Sequence, residues 1–302
     1  KRHTPRMFSR FTQAIVRPPA RNFADGLTTV DLGAPDIDVA LAQHAAYCAA
    51  LERHGCTVIA LPADSAHPDS TFVEDTALIL PGLGAIMTRP GAESRAGEVR
   101  AMRDALAAFF PELPEITSPG TLDAGDVCEA GHTVFIGISL RTNHEGARQL
   151  AEWLARYGVE SRLVDIRRTP GILHLKSGVV ALDADRLLSI EALADHEAFA
   201  DRRVLRVPPG EEYAANAVRV NDVIFVAEGY PRTEAMLRDA QSRADFAGAE
   251  TMALSLAALR CTVEESISRD GHSLDAVRGR LLATGKQAAM YAGELPTDPA
   301  RL

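Results

Sequence analysis

The stretch Pro68-Asp69-Ser70-Thr71-Phe72-Val73-Glu74-Asp75 runs directly into an apolar segment, residues 76–80, which turns through Pro81-Gly82-Leu83-Gly84 into residues 85–88. Two short apolar runs joined by a Gly-containing turn read as a β-hairpin. Acids at the mouth of a strand are poor for packing and good for gripping a cation. Side chains alternate along a strand, so Glu74 and Asp75 are expected on opposite sides, or at the point where the strand ends. Taken alone, a solvated loop ahead of a strand explains the cluster equally well. The rest of the chain repeats the arrangement, with hairpins over 127–138, 177–190 and 217–227. Each follows a polar cluster: Asp123-Ala124-Gly125-Asp126, His174-Leu175-Lys176 and Ala215-Asn216. A recurrence at roughly 40–50 residues marks a repeat architecture. Such ββαβ-type units cannot bury their apolar faces alone, so they pack around a shared axis where the polar strand starts converge.

Helical periodicity connects the hairpins. It predicts helices over 38–54, stopped by Gly55, over 94–110, over 143–157, stopped by Gly158, over 191–199 and over 232–243. The first carries an apolar stripe of Val39, Leu41, Ala42, Ala45, Ala46, Ala49 and Leu51. Short strands are predicted over 56–61, as a buried one, and over 159–164. No Ser/Gly/Pro-rich linker interrupts the pattern, so residues 1–302 read as one catalytic domain.

With 302 residues, 46% hydrophobic and 24% charged, the composition is that of an ordinary globular chain. A net charge of −9 disfavours nucleic acid and an acidic membrane surface as partners. No apolar run reaches the ~18 residues of a membrane span. The basic start (Lys1, Arg2, Arg6, Arg10) resembles a transit peptide in composition, but no signal-peptide hydrophobic region follows it. Four dispersed cysteines, Cys48, Cys56, Cys128 and Cys261, suit a reduced, cytoplasmic protein rather than a disulfide framework or a zinc ribbon. Cys48 and Cys56 fall where core residues are expected. Cys128 with Asp126 and His132 makes a poor metal site, since it mixes hard and soft donors and lacks a fourth ligand. No metal or organic cofactor is expected.

The converging set holds Asp69, Glu74, Asp75, Asp123, Asp126, His174, Arg95 and Arg141, with Cys261 one repeat further on. Cysteine, histidine and carboxylates together point to covalent catalysis at an electrophilic carbon. Paired carboxylates fix a planar guanidinium and keep it cationic. Arginines in the same pocket suit a carboxylate.

These stretches resemble the dimethylarginine dimethylaminohydrolase family of the arginine deiminase/amidinotransferase superfamily. The resemblance rests on residues 69–77, 88–95, 121–127, 135–143, 173–177 and 214–216, in the family's order. It implies an α/β fold, a five-fold pseudosymmetric α/β propeller of ββαβ-type repeats. It also implies that Asp75 holds the guanidinium, that Asp123 orients His174, and that His174 serves as acid and then base. Asp69 would meet the α-amine with Glu74 in support, and Arg95 and Arg141 would bind the α-carboxylate of a small guanidino amino acid. The implied reaction is attack by a cysteine thiolate, a thiouronium intermediate and hydrolysis to citrulline. An arginine deiminase, an amidinotransferase and a non-catalytic arginine-analogue-binding protein are the alternatives.

The pattern departs from the family near its nucleophile. Cys261 lies at a fitting distance, but its neighbours Leu259-Arg260 and Thr262-Val263 do not match, and residues 247–261 also read as an Ala/Leu-rich helix. From about residue 241 onward the chain reads as a different sequence, a divergent C-terminus or an altered reading frame.

Overall fold

Residues 11–28, 34–242, 250–254 and 288–291 are described by the structure, a computed structural model. Its recurring unit is a hairpin, a helix and a third strand that returns parallel to the hairpin's second strand. One unit pairs β5 (Val127–Ala130) antiparallel with β6 (Thr133–Ile138), crosses through α3 (His144–Arg156) and returns as β7 (Glu160–Asp165). In the next, β8 (Val179–Ala181) and β9 (Arg186–Ser189) lead through α4 (Glu191–Ala194) to β10 (Arg203–Arg206). Then β11 (Val218–Val220), β12 (Val223–Ala227), α5 (Pro231–Ser242) and β13 (Glu250–Leu254) follow the same course. Earlier in the chain, β3 (Ala77–Leu80) and β4 (Gly84–Met87) precede α2 (Glu98–Leu106), and a single parallel bridge from Met87 to Glu115 stands in for the third strand. A further sheet joins the two ends of the sequence. In it β14 (Ala288–Tyr291) runs antiparallel to β1 (Gln13–Val16), and β1 leads through α1 (Ile37–Arg53) to the parallel strand β2 (Thr57–Ala60). The described strands thus form five small sheets in a mixed α/β fold.

Strands β3, β4 and β6 are nearly continuous apolar runs because both faces are covered, and Leu80, Ile86, Phe135 and Ile136 in them are fully buried. The sheet containing β2 departs from expectation. The strand predicted as buried is half exposed, since it is an edge with β1 as its neighbour.

Helix α1 also differs. Its buried residues are Ala40, His44, Tyr47, Ala50 and Leu51, whereas Ala42, Ala45, Ala46 and Ala49 lie on the outer side. Alanine is a helix former that tolerates either face, so its periodicity misplaced the stripe. The segment 191–199 is divided because His196 adopts an extended backbone and its Nδ1 accepts the N–H of Ala198, capping a new 3-10 turn at Glu197–Phe199. The predicted helix over 94–110 begins as a 3-10 turn, Glu93–Arg95, before α2. At 250–254 the chain is a strand, not the start of a helix. Among the described residues no helix is long and apolar enough to cross a membrane.

Helix α3 is started by Asn143, whose Oδ1 accepts from Gly146 N (2.8 Å) and also from Thr121 N (3.1 Å). The helix end is thereby pinned to the segment leading to Asp123. A Cβ on Gly146 would lie 2.0 Å from the Thr121 carbonyl oxygen. Gly146→Ala should therefore destabilise the protein by about 1–3 kcal/mol in urea unfolding, although alanine favours a helix over glycine.

Candidate active site

Each polar cluster sits at a 3-10 turn that feeds the first strand of a hairpin. Asp75 lies within Val73–Thr76 ahead of β3, and Asp123 immediately precedes Ala124–Asp126 ahead of β5. His174 precedes Leu175–Ser177 ahead of β8, and Asn216 follows Glu212–Ala215 ahead of β11. The first three turns pack against one another in chain order, and the third against the fourth. Sequence-distant polar side chains meet there because in these four units the hairpin's first strand begins at an equivalent turn.

Asp75 is buried. Its Oδ2 accepts from Arg95 Nη1 at 2.7 Å and its Oδ1 from the Gly125 amide at 2.9 Å. Glu74 points elsewhere and pairs with Lys176 Nζ. The two adjacent acids do diverge, though within a tight turn rather than on a pleated strand. Burial acts against the Lys176 charge, but Glu74 and Glu129 outweigh it and raise its pKa.

Asp123 and His174 meet directly. The carboxylate is an acceptor, so His174 Nε2 donates to Asp123 Oδ2, at 3.1 Å. Asp123 Oδ1 accepts from the Gly91 amide at 2.8 Å, and Arg141 Nη1 lies 4.0 Å from Oδ2. Both members of the pair are buried, Asp123 completely. Gly91 must be glycine here, because a Cβ would fall 2.2 Å from the Arg141 carbonyl oxygen. Donor atoms of Asp75, Asp123 and His174 all lie within 4.8 Å of one another. A divalent ion drawn to this trio would also meet the positive Arg95 guanidinium, 2.7 Å from Asp75 Oδ2.

Asp69 is nearly buried, and both its oxygens lie 3.1 Å from the Leu27 amide. Residues 22–27 thus fold over it, with Asn22 Nδ2 donating to Ser65 O (2.9 Å) and the Phe23 ring 6.1 Å from that of Phe72.

Arg95 departs from its expected role. Its guanidinium donates to Asp75, to both oxygens of Glu98 (3.1 and 2.7 Å), and to the carbonyls of Asp69 and Phe72 (3.3 and 3.2 Å). With 4% exposure it is an internal brace, not a free receptor for a substrate carboxylate. Burial opposes its charge, but Asp75 and Glu98 prevail and raise its pKa. Glu98 is itself raised by burial, against the pull of Arg95. The sequence did carry a signal for Glu98, three residues after Arg95 and so on the same helical face.

Of the described cysteines, Cys128 lies in the core on β5, and burial pushes its thiol up to about 12. Cys261, expected as the nucleophile, lies outside the described residues.

A curated dimethylarginine dimethylaminohydrolase of Pseudomonas aeruginosa is 41% identical over 224 residues, covering 74% of this chain and 87% of the relative. A second, from Streptomyces coelicolor, is 36% identical over 230 residues, covering 75% of this chain and 86% of the relative. The solved structure of the Pseudomonas aeruginosa protein, a cysteine-to-serine variant in complex with citrulline, superposes with a TM-score of 0.76 at 38% identity, covering 83% of this chain and 95% of that one. The chain belongs to the dimethylarginine dimethylaminohydrolase family of the arginine deiminase/amidinotransferase superfamily. Residues 232–302, which include Cys261, match a different family model, described as the YcjX-like family, DUF463.

Two outcomes follow from this geometry. Glu98→Gln removes a charge from a buried pair and should cost about 3 kcal/mol or more in urea unfolding. Iodoacetamide at pH 8 should leave Cys128 unmodified in the folded protein by mass spectrometry, since a thiol titrating at about 12 is thiolate in roughly one part in ten thousand there.

Proposed function

We propose that the protein hydrolyses Nω-methylated L-arginine, dimethylarginine above all, to L-citrulline and a methylamine. The observation that carries this reading is the buried His174–Asp123 pair beside Asp75 in a chain 41% identical to a curated dimethylarginine dimethylaminohydrolase.

In the proposed reaction, Asp75 receives the substrate guanidinium and keeps it protonated, which makes its central carbon electrophilic. The Cys261 thiolate adds to that carbon. His174, oriented by Asp123, gives a proton to the departing amine, and the C–N bond breaks to leave an S-alkylthiouronium. His174 then takes a proton from water, the resulting hydroxide adds, and the C–S bond breaks to release citrulline and the thiolate. Asp69 meets the α-amine, with Glu74 in support. Arg141 takes the α-carboxylate, while Arg95 holds Asp75 in its ionised form.

The fold proposed for this chemistry is a five-fold pseudosymmetric propeller over residues 1–302 as one catalytic domain, with 241–302 divergent. Its support is the shared hairpin–helix–strand course of the sheets, and the pairing of β13 with β12 and of β14 with β1. We infer a reduced, cytoplasmic setting from the wide spacing of the four cysteines in the sequence. The net charge of −9 argues against nucleic acid as a partner.

A second reading is a non-catalytic arginine-analogue-binding protein. It draws on the match of the Cys261-bearing stretch to another family. Incubation with dimethylarginine, monomethylarginine and arginine separates the readings. Hydrolysis should give citrulline and dimethylamine in equal amounts from dimethylarginine. Cys261→Ser should abolish it, and His174→Gln should lower kcat by about 10²–10⁴-fold. Release of ammonia from arginine as the main product would indicate a deiminase. Binding without citrulline would favour the second reading, and full activity in Cys261→Ser would remove Cys261 from the mechanism.

A further inference from the structure

The carboxylate of Asp126, which contacts no proposed substrate group, is completely buried. The turn it closes does not need its side chain, because the Asp126 amide already donates to the Asp123 carbonyl at 2.9 Å. Instead the carboxylate reaches two other segments. Its Oδ1 accepts from the amide of Leu175, next to His174, at 2.9 Å. Its Oδ2 accepts from Ser139 Oγ at 2.6 Å and Thr142 Oγ1 at 2.7 Å, the two hydroxyls that flank Arg141. Each hydroxyl, having given its proton to the carboxylate, is left to accept. Ser139 Oγ accepts from the amides of Arg141 (2.9 Å) and Thr142 (3.0 Å), and Thr142 Oγ1 accepts from the Asp123 amide (3.2 Å). Strand β6 leaves room for this through Gly137, where a Cβ would come within 3.0 Å of Asp126 Oδ1 and 2.9 Å of Leu175 Cβ.

We propose that Asp126 is a positioning residue whose carboxylate sets the places of the His174–Asp123 pair and of Arg141 relative to each other. It does so through two arms, which share the Thr142 backbone and differ in the hydroxyl that carries them. The Thr142 arm holds the Asp123 backbone and so the ring of His174. The Ser139 arm holds the Arg141 backbone and so the proposed carboxylate receptor. The assignment of these arms to chemistry and to binding rests on the hydrolase reading above.

The arms are tested with Thr142→Val, Ser139→Ala and Asp126→Asn. The readouts are kcat and KM for dimethylarginine, citrulline affinity by calorimetry, the His174 ring-nitrogen resonances and Tm. Thr142→Val should lower kcat by about tenfold and displace the His174 resonances, with citrulline affinity held within about twofold. Ser139→Ala should raise KM and weaken citrulline binding by about tenfold, with the His174 resonances in place. Asp126→Asn should do both. The proposal is overturned if both single-arm variants move the same parameters equally, or if all three change Tm alone. If the unmodified protein forms no citrulline, the hydrolase reading fails, while citrulline affinity and the His174 resonances still decide the role of Asp126.

Discussion

The structure is organised around the need to keep the Asp75 carboxylate ionised where water does not reach it. A buried carboxylate without donors would take up a proton and lose its attraction for a cation. Here one oxygen meets Arg95 and the other the Gly125 amide. Arg95 in turn requires compensation, which Glu98 and two carbonyl groups supply. Asp123 is held by the Gly91 amide and by His174. A guanidinium guest, cationic and planar, would bring further N–H donors to these carboxylates.

The repeat explains how so many charged groups can be buried together. In each unit an apolar hairpin strand starts from a tight turn, and the turns pack against one another. Each turn's side chains are then close to the amides of the next, as Asp75 is to Gly125 and Asp126 to Leu175. Backbone amides at these crossings supply donors that an isolated hairpin could not. The site is therefore a product of the packing of units, and no single unit contains it.

Much of this was legible in the sequence. The hairpin over 127–138 matches residue for residue, because Gly131 and the β-branched residues around it leave one register. The grouping of Asp75, Asp123 and His174 could be read from their recurring place ahead of apolar strands. The face of α1 could not, since its alanines fit either side and the burial is carried by His44 and Tyr47. Nor could the role of Arg95. A guanidinium in a pocket can receive a ligand or brace an acid, and beyond Glu98, three residues on, the choice depends on the carbonyls of Asp69 and Phe72, which no spacing rule reveals.

The C-terminal stretch stands apart from this account of recognition. Residues 232–302 match another family, whereas the groups around Asp75 belong to the part shared with the dimethylarginine dimethylaminohydrolases. Recognition can thus be tested independently of turnover. The most direct measurement is calorimetric titration of dimethylarginine into the protein and into a folded Asp75→Asn variant. One-to-one binding that weakens by about tenfold or more in the variant is the expected result. Equal affinity in the two proteins would contradict the claim that the buried Asp75 carboxylate receives the guanidinium.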